Sequence, residues 1–323
     1  MHKLTTKEII AIAKGTLRSE ADAINALTAY VDEHFSECVK LIFESKGRVV
    51  ITGIGKSAII GQKIVASLNS TGTPSIFMHA ADAVHGDLGI VQPDDVIICI
   101  SNSGNTPEIK VLLPFVKLSG NKLIAMVGNS DSYLARQADL IIRTSVEKEV
   151  GSNNLAPTTS TTAQLAMGDA LVVCLMEYRG FTQEKFAMLH PGGTLGKKLF
   201  LRVSDVFPNN EKPAVEIDSD IPSTIIEMTS KRLGATCVLD EGKLVGIITD
   251  GDLRRMMQSG RPMHELRASD IMTKNPKSAH PEMLVADALD IMRKNNITQL
   301  PVQAGYAYLG VIHIHDILKE GIL

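Results

Sequence analysis

The stretch Arg48-Val49-Val50-Ile51-Thr52-Gly53-Ile54-Gly55-Lys56-Ser57 decides the fold. Its first half is a short run of β-branched apolar residues, the pattern of a strand buried on both faces. The run breaks at Gly53, and an amphipathic helix over 57–70 follows. The same alternation continues downstream. Apolar runs at 74–78, 96–100, 122–127 and 140–143 read as strands, and segments 108–118 and 132–137 read as helices. A loop over 151–157 leads into a long helix over about 161–178. Upstream, the first 45 residues read as helix, with Ile9, Ile12 and Ala13 and then Ala23, Leu27 and Val31 at helical spacing. Short Val/Ile-rich strands alternating with helices imply a five-stranded parallel sheet flanked by helices, a flavodoxin-like α/β arrangement.

At 323 residues the chain has room for two domains or slightly more. A net charge of -3 leaves no basic excess for a phosphate backbone, and 4% aromatic content offers few base-stacking platforms, so nucleic acid is not an expected partner. No apolar run approaches the roughly 18 residues that span a bilayer. The early charges Glu8, Arg18, Glu20 and Asp22 exclude a signal-peptide core, so a cytoplasmic location without a membrane partner is expected. The cysteines Cys38, Cys99, Cys174 and Cys237 show no metal-type spacing. Cys99 and Cys174 lie in apolar segments, and the expectation is reduced core thiols.

The last 120 or so residues contain an internal repeat. Ser204-Asp205-Val206 returns as Ser269-Asp270-Ile271, and the segment 244–253 (LVGIITDGDL) returns as 309–318 (LGVIHIHDIL). Gly246 and Gly310, like Asp252 and Asp316, are 64 residues apart. Each copy reads helix, strand, strand, helix, an α+β unit that buries its open face only against the other copy. The division expected is 1–200 for the first domain, then 201–262 and 263–323 for the two copies.

Ligands of such parallel sheets sit beyond the carboxyl ends of the strands. The first loop there is Gly53-Ile54-Gly55-Lys56-Ser57. A strict Walker A loop would need glycine at position 50, where Val50 stands, whereas Gly53, Gly55 and Ala58 satisfy the small-residue pattern of a dinucleotide loop. A tight structural turn and a phosphate or sugar site both fit it. The second loop, Ser101-Asn102-Ser103-Gly104-Asn105-Thr106-Pro107-Glu108, ends in proline at a helix start. Its three hydroxyls and free N–H groups suit a phosphate monoester. Capping by Thr106 would explain only one of the hydroxyls. A third cluster, Thr158-Thr159-Ser160-Thr161-Thr162, either caps the long helix or donates to the same phosphate. Lys56, His79, His85, Glu108, Glu149 and His190 fall near strand ends or close to these loops. An isomerase needs groups of this kind to move a proton and to stabilise enediol oxygens.

The two polar loops together resemble the sugar isomerase (SIS) domain, and the repeat resembles a tandem CBS pair. That order is similar to the D-arabinose 5-phosphate isomerase family. The segments 79–89 (HAADAVHGDLG), 155–170 (LAPTTSTTAQLAMGDA), 190–199 (HPGGTLGKKL) and 249–255 (TDGDLRR) carry the resemblance most specifically. It implies interconversion of D-ribulose 5-phosphate and D-arabinose 5-phosphate through an enediol, feeding 3-deoxy-D-manno-octulosonate synthesis for lipopolysaccharide. It implies catalytic roles for Lys56, Glu108, Glu149 and His190, with Glu149 favoured as the base. Substrate contacts are implied at Gly72, Thr73, His79 and His85, and the phosphate is expected on Ser101, Ser103, Thr106, Thr158 and Ser160. No cofactor is required by such chemistry, and zinc at His79 would inhibit rather than catalyse. The CBS pair implies a regulatory nucleotide or nucleotide-sugar on Thr249, Asp252 and Asp316, although His313 stands where the first copy has Thr249. A homotetramer with His190 reaching a neighbouring subunit's site is expected.

Other functions fit less well. A phosphosugar sensor attached to DNA would need a basic recognition helix. A dehydrogenase would need an acidic residue at the end of the second strand, where His79 and two alanines stand. An isomerase for another phosphosugar, or an amino-sugar enzyme, is disfavoured by the segment 79–89, although sequence alone does not measure the choice of epimer at one carbon.

Overall fold

The computed structural model describes residues 3–151 and 153–322, which form two compact units, Met1–Leu189 and His190–Leu323. In the first unit α1 (Thr6–Leu27) and α2 (Glu33–Glu44) precede β1 (Val49–Gly53), α3 (Lys56–Ser70), β2 (Ser75–His79) and α4 (Ala80–Ala83). β3 (Val96–Ser101), α5 (Pro107–Leu118), β4 (Lys122–Val127), α6 (Tyr133–Gln137) and β5 (Leu140–Arg143) follow, then α7 (Thr159–Tyr178) and α8 (Gln183–Leu189). The five strands are all parallel, in the order β2-β1-β3-β4-β5.

Every residue of β1 and β3 is buried, as expected of central strands covered on both faces. Alternate residues face opposite ways. Ile51, Ile98, Ile100, Ile124 and Met126 pack against α2, α3 and α7, whereas Val50, Ile97, Cys99, Ala125 and Val127 pack against α4, α5 and α6. The helices after the adjacent strands β1 and β3 therefore leave to opposite faces. That divergence opens a gap at the carboxyl ends of these two strands, with loops 53–57 and 101–106 on its rims.

The helical reading of the first 45 residues breaks at 28–32. A short 3-10 turn ends the first helix, and Asp32 accepts a hydrogen bond from the Phe35 N–H at 3.2 Å to start the second. The apolar spacing along α1 is not a core face of this unit, because only Leu27 is buried. Cys38, Cys99 and Cys237 are buried thiols, and burial pushes each up to about 12. Cys174 corrects the expectation of four core thiols: it lies on the outer side of α7, beside the exposed Val173, and is itself exposed. Among the described residues no helix is long and apolar enough to cross a membrane.

The second unit contains α9 (Thr194–Phe200), α10 (Val203–Val206), β6 (Ala214–Glu216), α11 (Ile221–Lys231), β7 (Ala235–Asp240), β8 (Lys243–Thr249) and α12 (Asp250–Gln258). Then come α13 (Ala268–Ile271), β9 (Thr273–Lys274), α14 (Val285–Asn295), β10 (Gln299–Ala304), β11 (Ala307–His313) and α15 (Ile314–Lys319). Both copies of the repeat form helix, strand, strand, helix and share one mixed sheet, β10-β11-β8-β7-β6. Their leading segments are exchanged. Val203 and Val206 lie in the core of the second copy, and Ala268, Ile271 and Met272 in that of the first. The recurring glycines explain why. A Cβ on Gly310 would lie 2.9 Å from the Phe207 ring, and one on Gly246 2.4 Å from Met272 Sδ.

At the amino end of the first unit's sheet, Asp95 is 2% exposed. It accepts from the Arg48 N–H at 2.7 Å, Arg48 Nη2 at 2.9 Å and the Gln92 N–H at 2.9 Å. Burial pushes its carboxyl up, but these bonds outweigh burial and hold it below the ordinary range. Asp95→Asn is expected to cost about 2 kcal/mol in urea unfolding at pH 7. Because the folded value is lowered, the contribution is full above the unfolded value of about 3.9 and disappears as pH falls through the folded one. The gap between wild type and variant should therefore close in acid. Equal midpoints at pH 7 would contradict this role.

Candidate active site

Three helix N-termini in the first unit bear on the carboxyl side of its sheet, and they are completed differently. α3 begins after Gly55 (φ +59), which makes no side-chain cap. α5 begins after Thr106, which also makes none, so its hydroxyl is not spent on capping. Both N-termini keep free N–H groups and a partial positive charge. α7 is different. Glu149 Oε2 accepts from the Thr158 N–H at 2.8 Å, the Ser160 N–H at 3.1 Å and Thr158 Oγ1 at 3.2 Å, and Oε1 accepts from Ser160 Oγ. The 158–162 cluster thus holds a carboxylate of this chain, and Thr158 does not cap its own helix. With that anion in place α7 starts at Thr159, two residues earlier than the sequence suggests. Burial pushes the Glu149 carboxyl up, but the bonds from Ser160 and Thr158 prevail and lower it.

The 101–106 loop is held by its neighbours. Ser101 Oγ accepts from the Gly104 N–H at 3.0 Å and lies 3.3 Å from Thr106 Oγ1. Ser103 Oγ accepts from the Asn105 N–H at 3.3 Å, and both residues are exposed. Asn105 Oδ1 accepts from the Tyr133 N–H at 3.1 Å, and the Gly104 carbonyl accepts from the Leu134 N–H at 3.0 Å, so the loop is seated on α6. Gly104 (φ +62) cannot be replaced without movement, since a Cβ there would lie 2.1 Å from Ser132 Oγ. Asn105 and Ser132 have no distinctive sequence signal and were not among the expected site residues.

Lys56 is the exposed first residue of α3, and Glu108 is half-buried in the first turn of α5. His79 ends β2 beside Gly53, with its Nδ1 buried, without a hydrogen-bond partner, 3.7 Å from Asp82 Oδ2. His79 and Asp82 are two donors, short of a tetrahedral set, and among the described residues no group of three or more His, Cys, Asp or Glu side chains is placed to hold a metal. His85 is exposed just beyond α4.

Gly72 and Thr73 are not brought to this end. They precede β2, so they lie at the amino end of the sheet, about 16 Å of strand away. Thr73 is 2% exposed, and its Oγ1 accepts from Arg179 Nε at 3.1 Å. Gly72 (φ +85) faces Phe181 and Leu189. His190, the next residue, opens the second unit in a tight turn, its carbonyl accepting from the Gly193 N–H at 3.0 Å.

In the second unit Asp252 is 5% exposed and accepts from the Thr249 N–H at 2.8 Å, Thr249 Oγ1 at 2.7 Å and Thr273 Oγ1 at 3.3 Å, as well as from Arg255. It borders a cleft of about 670 Å³ that Arg254, Lys277 and Gln299 also line. In the second copy Asp316 accepts from Asn210 Nδ2 at 2.6 Å and from the His313 N–H at 3.1 Å. Burial and the neighbouring His315 lower the His313 imidazole.

Comparison with known proteins agrees with this architecture. The family model of the SIS domain matches residues 41–174, and that of the CBS domain matches 203–259 and 268–322. The chain is 46% identical to the arabinose 5-phosphate isomerase KdsD of Pseudomonas aeruginosa over 98% of both chains. It is 43% identical to KdsD of Escherichia coli K12, over 98% of this chain and 95% of that one. Among solved structures, E. coli CFT073 c3406 in complex with arabinose 5-phosphate is 40% identical, with a TM-score of 0.57, covering 58% of this chain and 100% of that one. On its SIS fold, its paired CBS domains and these full-length relatives, the chain belongs to the arabinose 5-phosphate isomerase family.

Proposed function

We propose that this protein interconverts D-ribulose 5-phosphate and D-arabinose 5-phosphate. The observation that carries the reading is the allocation of anions among the three helix N-termini. Two stand open beside the gap between β1 and β3, where a phosphate dianion fits, and the third is taken by Glu149. The phosphate binds the N–H groups and hydroxyls of Ser101, Ser103 and Thr106. Thr158 and Ser160, expected to share it, serve it only indirectly, because their donors hold Glu149.

Glu149 is the base. Its Oε2 is saturated by three donors, whereas Oε1 accepts one bond and keeps a lone pair. Oε1 takes the proton from the carbon beside the carbonyl, giving an enediolate, and the proton returns to the neighbouring carbon. Lys56 stabilises the developing oxyanion or the phosphate, and Glu108 is the second choice of base. His190, from a second copy of the chain, assists ring opening or shuttles the proton between the oxygens. Exposed apolar residues along α1, with Ile9 at 54%, Ile12 at 56% and Leu17 at 69%, support self-association into a tetramer.

No cofactor enters this chemistry. Zinc at His79 and Asp82 would obstruct the sugar rather than serve it. The cleft at Thr249 and Asp252 takes a regulatory nucleotide or nucleotide-sugar, and Asp316, already held by Asn210, is the less open of the two sites. A phosphorylated substrate supports a cytoplasmic location for the enzyme, supplying octulosonate synthesis for lipopolysaccharide.

Purified protein with D-ribulose 5-phosphate and EDTA should form arabinose 5-phosphate. Tight binding of a phosphosugar without turnover would make the protein a sensor instead. Glu149→Gln should lower kcat by about 10²-fold or more, and Glu108→Gln by less. Because the Glu149 carboxyl is lowered, wild-type kcat should hold through the ordinary carboxylate range and fall only as pH drops through the lowered value. Near-normal turnover in both variants would remove the assignment. Gly104→Ala should raise KM about tenfold (about 1.4 kcal/mol) with weaker inhibition by inorganic phosphate, and an unchanged KM would take the phosphate off this loop.

A further inference from the structure

Gln164 has no catalytic role so far, yet its amide joins α3, which carries Lys56, to α7, whose N-terminus holds Glu149. It sits in α7 one turn after Ser160 and is 1% exposed. Its Oε1 accepts from Ser57 Oγ at 3.1 Å, and its Nε2 is buried with no partner. Turning the amide over exchanges the two atoms and leaves the same account: one end holds Ser57 and the other is buried without a bond. Its neighbours on α7 include the core residues Ala163 and Met167. An unmet buried amide is destabilising, and an apolar side chain of similar length would avoid the loss. A glutamine here, where its amide is only half satisfied, points to function.

What it holds is the first turn of α3. Ser57 follows Lys56, and the Gly55 before them lends that turn no side-chain cap. One turn earlier on α7, Ser160 holds Glu149. One turn later, Gly168 lets the helices meet closely, since a Cβ there would lie 2.4 Å from Ile64 Cδ1. Three successive turns of α7 therefore hold Glu149, register α3 and admit α3. The Lys63–Asp169 pair joins the same helices on the surface, where an ion pair fixes geometry weakly.

We propose that Gln164 is a positioning residue of the isomerase, setting Lys56 against Glu149 through its bond to Ser57. The inference rests on the isomerase reading above. Displacement of a catalytic group by about 1 Å can cost about 10²-fold in rate. Gln164→Met keeps the length and removes both polar atoms. It should lower kcat at least about tenfold, leave KM within about threefold, and leave Tm at or above the wild-type value, because the unmet amide is gone.

Ser57→Ala breaks the same bond from the half-buried end and should give the same fall. The double variant should lose no more than either single one, as expected for two groups acting as a unit. A merely structural role would lower Tm and leave kcat per folded molecule unchanged. Folded Gln164→Met with wild-type kcat, or losses that multiply in the double variant, would overturn the proposal. If wild type itself does not turn over ribulose 5-phosphate, the isomerase reading fails and this inference falls with it. If wild type is active and Gln164→Met matches it, the inference alone fails.

Discussion

The adjacent strands β1 and β3 send their helices to opposite faces of one sheet, and the site depends on that divergence. Ile64 and Leu68 of α3 pack with Ile51 and Ile98, while Ile109 and Leu112 of α5 pack with Val50 and Ile97. With the helices drawn apart, a gap is left beyond the carboxyl ends of β1 and β3. The two loops there expose backbone N–H groups to whatever enters. The close contacts around the loops follow from this. Gly53 has the Ile100 carbonyl 3.1 Å from where its Cβ would be, and Gly128 has Asn102 Oδ1 at 2.1 Å. Glycine is needed where backbones from neighbouring strands converge.

The sheet is anchored at the other end by different chemistry. The buried Asp95 ties the start of β3 to the start of β1 through Arg48, and Arg48 reaches on to the Ile90 carbonyl at 2.8 Å. A buried carboxylate with this many donors resists displacement. The strands are thus fixed in register at their amino ends, where no ligand chemistry is required, and open loops can be tolerated at their carboxyl ends.

The strands were legible because each is a short, uniformly apolar run whose length sets its limits, and β4 and β5 fall on the expected residues. The polar loop at 101–106 was legible because three hydroxyls exceed what one helix cap needs. Other features depend on contacts that sequence spacing does not encode. Thr158–Thr162 reads as a capping cluster, but the donors of Thr158 and Ser160 are taken by Glu149, nine residues before Thr158. Thr73 lies next to Gly72 in a motif associated with substrate, yet its hydroxyl is engaged by Arg179, 106 residues away. Cys174 sits in an apolar segment, and only the packing of α7 decides which side of that helix is covered. The repeat was visible as two copies, whereas the exchange of their leading segments required the cores to be seen.

Glu149 and a phosphate are both anions seeking helix N-termini, and the chain separates them by giving each a different kind of end. α7 meets Glu149 through two N–H groups and two hydroxyls, so a phosphate there would have to displace a carboxylate that is already bonded and already negative. α3 and α5 start after Gly55 and Thr106 without side-chain caps, so their first N–H groups have no competing internal anion of that kind. The same bonds that keep Glu149 off the phosphate site also make it less basic, which slows proton abstraction. The compensation is orientation. A carboxylate with one oxygen saturated and the other held by a single hydroxyl presents its remaining lone pair in a fixed direction, and fixed geometry can contribute more to rate than the basicity lost.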